Sequence, residues 1–299
     1  MLVLNDVRSE KLDHKDYPAL FLDADNASNL YQKKFLRLIR GEYFALFLAA
    51  VFSMSFLNDV FYYVLYAGVF VVGLIILVAR AQSKPEQWWY RCRALAESVK
   101  TLTWRYMMHA APFERDDAQA RIQLRDELHA MFRENIETAK QITDDWSGND
   151  QITKPMEDVR ALSREHRMAY YLEHRVGDQR YWYRQKSMAN RTAAKRWVWV
   201  SGFCYVIAGS MALSRIAIPQ WPYWPIEPLI VVAASVIGWM QIKKFNELSA
   251  AYTVAAHEIG MIQSKSDEVT NDNQFSEFVN DAEKAFSREH TLWIARQSD

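Results

Sequence analysis

The chain has 299 residues, its 36 Lys plus Arg balance 36 Asp plus Glu, and its mean hydropathy is slightly negative at -0.24. Zero net charge argues against nucleic acid as the main partner, and nine glycines leave little material for a phosphate-cradling loop. The two cysteines, Cys92 and Cys204, offer no disulfide framework and fit a reducing compartment.

Residues 1–26 are polar and read as a loosely held lead, without the apolar core and small-residue cleavage site of a signal peptide. Residues 27–42 read as an amphipathic helix feeding the first apolar stretch. Tyr43 to Asn58 is uncharged over sixteen residues and Val60 to Ala79 over twenty. Twenty residues of helix rise about 30 Å, the thickness of a bilayer's hydrocarbon core. Only Asn58-Asp59 separates the two stretches, so they are expected to insert as one hairpin.

After Ala79, Pro85 interrupts, and a helix is expected from Glu86 to Ala111, rich in Trp88, Trp89, Trp104 and Tyr106. These aromatics suit interfacial anchoring or core packing, and the sequence leaves both open. Pro112 ends that helix. Glu114, Asp116 and Asp117 then form an acidic first turn, as the helix dipole favours, and Leu124, Leu128, Phe132, Ile136 and Ala139 recur at helical spacing as one apolar stripe. Asp144 to Asp150 is a run of turn formers and marks the expected boundary between two domains.

Pro155 to Ser214 contains no further proline, so one long helix is expected to rise into a third span at Trp197 to Ser214. Val159, Leu162, His166, Ala169, Leu172 and Val176 keep helical spacing along it. A tip with Pro219, Pro222 and Pro225 carries Trp221, Tyr223 and Trp224 where an interfacial aromatic belt belongs. A second long helix, Pro228 to about Ser264, descends through a fourth span at 228–242. Phe275, Phe278, Ala282, Phe286 and Trp293 share one face of a final amphipathic helix.

The expected fold is therefore an all-α membrane protein: two transmembrane helical hairpins, four spans in all, with long cytoplasmic helical extensions packed as a bundle or coiled coil. The expected division is a lead at 1–26, a two-span domain at 27–145 (spans 43–58 and 60–79), a linker at 146–154 and a second two-span domain at 155–299 (spans 197–214 and 228–242). The alternative is a soluble helical protein with two buried hairpins. Helices apolar all round are either deep core or membrane, and the rest of this chain is too charged to supply so large a core.

Basic residues flank the feet of both hairpins: Lys33, Lys34, Arg37 and Arg40; Arg80, Lys84, Arg91 and Arg93; Arg180, Arg184, Lys186, Arg191, Lys195 and Arg196; Lys243 and Lys244. The tips carry only Arg215. By the positive-inside rule both termini and the central segment face the cytoplasm. Tyr31-Gln-Lys-Lys before the first hairpin is echoed by Tyr183-Arg-Gln-Lys before the second, and Ala96-Glu97-Ser98 by His257-Glu258-Ile259, so the architecture reads as an internal repeat.

Candidate helix-packing positions in the membrane are the small residues four apart, Ala45 and Ala49, Ala208 and Ala212, Ala234 and Gly238. They suit either an oligomeric pore or the packing of four spans within one chain. Candidate coupling and packing positions outside the membrane are Arg164, Glu165, His166, Tyr183, Glu258, Arg288, Glu289, His290 and Trp293. Ser163-Arg-Glu-His166 and Ser287-Arg-Glu-His290 put Glu beside His, but helix neighbours point about 100° apart and do not share one small ion. Surface ion pairing or helix packing is the expected role. No catalytic residue, metal site or cofactor is expected.

Phe278-Val-Asn-Asp-Ala-Glu-Lys-Ala-Phe-Ser-Arg-Glu-His-Thr-Leu-Trp-Ile-Ala-Arg, with Tyr181-Trp-Tyr-Arg-Gln-Lys-Ser-Met-Ala-Asn before a membrane hairpin, resembles the two-helix membrane effector domains called SLATT, associated with nucleotide synthetases and sensors of bacterial conflict systems. Trp104-Arg-Tyr106 and Ala111-Pro-Phe113 resemble another SLATT subtype. The chain is thus similar to a tandem of two such domains over about residues 20–297. The resemblance implies an inner-membrane, pore-forming effector of antiviral defence, released by a separate nucleotide-sensing or signal-producing partner. A homo-oligomer in the lipid bilayer is the expected assembly. The competing reading is a membrane-anchored helical scaffold that recruits cytoplasmic partners without opening a pore.

Overall fold

A computed structural model describes residues 11–142 and 150–298, with side chains as far as Ser287. The described residues are helical, without strands: α1 (Ala19–Phe52), α2 (Val60–Ser83), α3 (Pro85–Met107), α4 (Asp117–Glu134), the single turn α5 (Ile136–Ala139), α6 (Lys154–Arg160), α7 (Arg164–Tyr171), a π-helical segment Leu172–Gly177, α8 (Asp178–Ala217), α9 (Ile226–Lys243), α10 (Phe245–Ser264) and α11 (Asp272–Ser298). They form two compact units. One draws on the chain as far as Tyr31, on Glu86–Gln185 and from Ala251 onward; the other comprises Gln32–Pro85 and Lys186–Ala250.

The first unit has a packed apolar core built from both halves of the sequence. Leu95, Val99, Trp104, Tyr106, Phe113 and Leu124 come from α3, α4 and the loop between them, and Met156, Val159, Tyr171, Ile259, Phe275 and Val279 from the second half. Each of these helices is apolar on one stripe only, so each needs the others to remove that stripe from water.

The segment expected as a loose lead belongs to this core from Leu12 onward. Tyr17, Leu20, Phe21, Leu22 and Ala24 are buried, and α1 begins at Ala19, well before residue 27. Polar groups tie it down as well. Leu12 N–H donates to Tyr170 Oη at 3.0 Å, Thr153 Oγ1 donates to the Asp16 carbonyl at 2.5 Å, and the first-turn N–H of Leu20 donates to Gln151 Oε1 at 3.2 Å.

Helix α3 stops at Met107. His109 takes φ 53°, and the Ala110 N–H reaches back to the Arg105 carbonyl at 2.9 Å, the six-residue closure that satisfies a helix end. Asp116 caps α4 by accepting from Gln119 N–H at 3.1 Å. The stripe expected to run to Ala139 is broken at Asn135 (φ -108°, ψ 31°), so Leu124 and Leu128 are buried while Phe132 and Ile136 lie exposed. Of the turn at Asp144 to Asp150, all but Asp150 lies outside the described residues.

The long helix expected from Pro155 is interrupted at Ala161–Ser163. Ser163 starts a new helix by capping His166 N–H, and carbonyls freed by the break are filled from side chains: Arg167 Nη1 donates to Leu162 (2.8 Å) and Arg160 (3.3 Å), and His109 Nε2 to Arg160 (3.1 Å). The expected helix from Pro228 to Ser264 likewise divides at Lys244, which takes φ 47°.

The second unit is apolar. Three described helical stretches, within Val60–Met107, Arg164–Ala217 and Ile226–Glu268, are long and apolar enough to cross a bilayer. The expected first span at 43–58 is not among them, because α1 ends at Phe52. The tip expected to be Asn58-Asp59 alone is a longer turn. Ser53 Oγ donates to the Ala50 carbonyl (2.8 Å), Ser55 takes φ 53°, and Tyr62 Oη donates to the terminal Phe52 carbonyl (2.7 Å). These contacts stop the helix six residues early.

Candidate functional site

Helices α1 and α2 are antiparallel in the apolar unit. Gly41 lies against Ile76, Ala45 against Gly73, and the Phe52 ring against Tyr62 and Tyr66, so position rises on one helix as it falls on the other. Helices approach closely at these glycines. A methyl placed on Gly73 would meet the Ala45 methyl at 3.5 Å, ordinary contact, whereas one on Gly238 would stand 2.5 Å from Tyr43 Oη. Gly238 is therefore the position where α9 accepts α1.

Gly238 is half-buried, and the other five small residues divide. Ala45, Ala49 and Ala208 are buried within the chain, while Ala212 and Ala234 are exposed. Around them Phe61, Val64, Leu74, Ile75, Phe203, Val206 and Leu213 also face outward. An outward shell of such residues suits hydrocarbon, not water.

At the feet of the hairpins, one arginine is paired with an acid and another lies beside a ring. Arg80 Nε donates to Glu42 Oε1 at 2.6 Å, pinning α2 to α1, and the Arg40 guanidinium lies 5.3 Å from the Trp239 ring. The sequence reading passed over Glu42, whose signal was a lone acid among the basic residues that precede the first hairpin. At the tips, Trp221 meets Trp224 edge-on at 4.8 Å and Tyr223 meets Phe56 at 5.2 Å. The tip aromatics of one hairpin thus pack partly on the other.

In the core unit, the coupling candidates have local roles. Arg164 donates to the Thr270 carbonyl at 2.6 Å and pairs with Glu165 at 2.7 Å, and His166 Nδ1 lies 3.0 Å from its cap, Ser163 Oγ. Tyr183 is buried against Tyr252 (5.6 Å) and Trp182 (5.0 Å); Glu258 is exposed. The side chains of Arg288, Glu289, His290 and Trp293 lie outside the described residues. Among the described residues, no cluster of three or more His, Cys, Asp or Glu is arranged to hold a metal ion. Of the five aromatics of α3, Trp104 and Tyr106 are core, Tyr90 is buried, and Trp88 and Trp89 are half-buried.

Sequence reasoning missed the most buried polar group. Arg175 (2% exposed) forms a two-pronged pair with Glu283 (0% exposed), Nε to Oε1 at 2.8 Å and Nη2 to Oε2 at 2.6 Å, and Tyr171 Oη donates to the same carboxylate at 2.9 Å. The guanidinium also lies over Phe286 and Trp104. Burial alone would lower the Arg175 pKa; the Glu283 carboxylate more than offsets that and holds it above its ordinary value. Burial raises Tyr171 well above its usual range, so it stays a hydrogen-bond donor. The readable signal was an arginine at the end of the apolar spacing Leu172–Val176 and an acid between Ala282 and Phe286.

Residues 18–168 match the family described as SMODS and SLOG-associating 2TM effector domain 3, SLATT_3, and residues 171–293 match SMODS and SLOG-associating 2TM effector domain 1, SLATT_1. No curated protein and no solved structure matches the chain. Each matched range contains one of the apolar hairpins just described, and together they cover nearly all of the described residues, so the chain belongs to the SLATT family as a tandem of two of its two-transmembrane effector domains.

Proposed function

We propose that this protein is an inner-membrane effector of bacterial antiphage defence that oligomerises and permeabilises the bilayer when a separate nucleotide-sensing or signal-producing partner triggers it. In this reading both hairpins cross fully, giving four spans, with the termini and the core unit in the cytoplasm where the flanking Lys and Arg belong. The observation that carries it is the uncovered small-residue surface at Ala212 and Ala234. These are places on the apolar unit where a second copy's helix can approach closely in lipid.

The test is dye release from liposomes loaded with the purified chain, with and without the triggering partner. Release that requires the partner, and that falls when Ala212 and Ala234 are both replaced by Leu, is the expected result; intact vesicles in every condition would refute permeabilisation. A membrane-anchored scaffold is the second reading, favoured by the extent of the packed core unit. It predicts partner capture without leakage.

A further inference from the structure

The core unit contains a cavity of about 430 Å³, within the range of small-molecule sites. Helix α3 lines it with Ser98, Thr101 and Arg105, at one-turn spacing along a single face, and α11 lines it with Lys284 and Ser287. Two cations and three hydroxyls converge on it. Arg105 is half-buried in the cavity wall, its Nε covered and without a hydrogen-bond partner among the described residues. Lys284 is exposed, and its ion pair with Asp281 is long, at 3.9 Å. The acid adjoining it on α11, Glu283, is committed to Arg175.

We propose that this cavity binds a small phosphate monoester with an aliphatic body. Two cations flanked by the α3 hydroxyls suit the oxygens of a tetrahedral dianion better than the two of a carboxylate, and Arg and Lys are the side chains that bind phosphate. Among the described residues the rest of the lining is Leu102 and Met131, aliphatic chains and not rings on which a nucleobase stacks. The ester can be a soluble metabolite or a lipid headgroup, which share this chemistry. The inference does not depend on whether the membrane is permeabilised.

The experiment is calorimetric titration of glycerol 3-phosphate into the full chain in nanodiscs of zwitterionic lipid. Saturable one-to-one binding is expected, about tenfold weaker in Lys284→Gln and weaker still in Arg105→Gln, since each change removes a charge-assisted hydrogen bond. Lys140→Gln, whose lysine pairs with Glu137 away from the cavity, should bind like the parent. Repeating the titration in phosphatidylglycerol nanodiscs separates the two sources: suppressed binding assigns the site to a headgroup, and unchanged binding to a soluble ester. Absence of saturable binding, or full affinity in Lys284→Gln, whose exposed side chain can be changed without disturbing the core, would overturn the proposal. Tighter binding of AMP than of glycerol 3-phosphate would overturn the aliphatic assignment.

Discussion

At the scale of single residues, the Arg175–Glu283 pair is the costliest polar feature of the core and the most sensitive to one-sided change. Glu283→Ala leaves a guanidinium buried with its main acceptor gone, and breaking such a pair costs about 3–5 kcal/mol. Replacing both partners at once, Arg175→Met with Glu283→Leu, should cost less than either single change, because no unpaired charge remains. Urea unfolding of the core, followed by tryptophan fluorescence, reads both. A second residue makes stability depend on acid. His109 donates its Nε2–H to the Arg160 carbonyl, and its pKa is pushed down from 6.5 to about 4 by burial first and then by the nearby Arg160 and Arg167 charges. The folded state therefore holds His109 neutral while the unfolded chain takes up a proton near pH 6.5. The stabilisation from keeping it neutral is complete above about pH 6.5 and is lost as pH falls toward 4. Allowing for its partial exposure, the loss is on the order of 1–2 kcal/mol. His109→Gln should flatten that part of the stability profile; an unchanged slope would assign it to other groups.

At the scale of elements, the two hairpins share a detail that their sequences barely show. The descending helix of each ends on a lysine in the left-handed region, Lys84 (φ 40°) after α2 and Lys244 (φ 47°) after α9, and each lysine N–H closes the last turn, onto Arg80 and Met240 respectively. A side chain in this conformation costs roughly 1–2 kcal/mol, which glycine does not incur. Lys244→Gly is thus expected to raise thermal stability in detergent by a few degrees, whereas Lys244→Val should lower it; the opposite order would mean that α9 and α10 run on as one helix. This explains what was legible in the chain and what was not. The uncharged run Val60 to Ala79 announced its helix by composition, and the Phe275, Phe278, Ala282, Phe286 face announced its burial by spacing. The breaks at Ser53, Ala161–Ser163 and Lys244 carry no Gly or Pro. At the first two, side chains take the freed carbonyls, Tyr62 that of Phe52 and Arg167 those of Arg160 and Leu162, five to ten residues along the chain. Burial of Leu12, Tyr17 and Leu20 to Leu22 was not legible because the partners of this stretch, Gln151, Thr153 and Tyr170, lie more than a hundred residues away in sequence.

At the scale of the whole molecule, the issue is control. An effector open at rest would collapse its own cell's membrane potential, so under the proposed function the closed state must be favoured at rest. Moving such an equilibrium from about 1:99 to 99:1 takes roughly 5.5 kcal/mol of preferential binding by the trigger. Helix α8 is the candidate route, because it runs unbroken from Asp178 to Ala217 and contributes residues to both compact units. Its early part is held by α10: Arg180 donates to Gln263 Oε1 at 3.0 Å, Tyr183 packs on Tyr252, and Ser187 Oγ donates to the Ser249 carbonyl at 2.9 Å. A proline at 183 removes a helical hydrogen bond and crowds the Gln179 carbonyl, at about 3 kcal/mol. Tyr183→Pro is therefore expected to abolish triggered dye entry in cells carrying the complete defence system, while the protein still fractionates with the membrane. Tyr183→Ala loses the same ring contacts yet keeps the helix, and should still respond. If both variants respond like the parent, α8 does not carry the signal. If both fail equally, the aromatic contact with Tyr252 matters rather than the continuity of the helix.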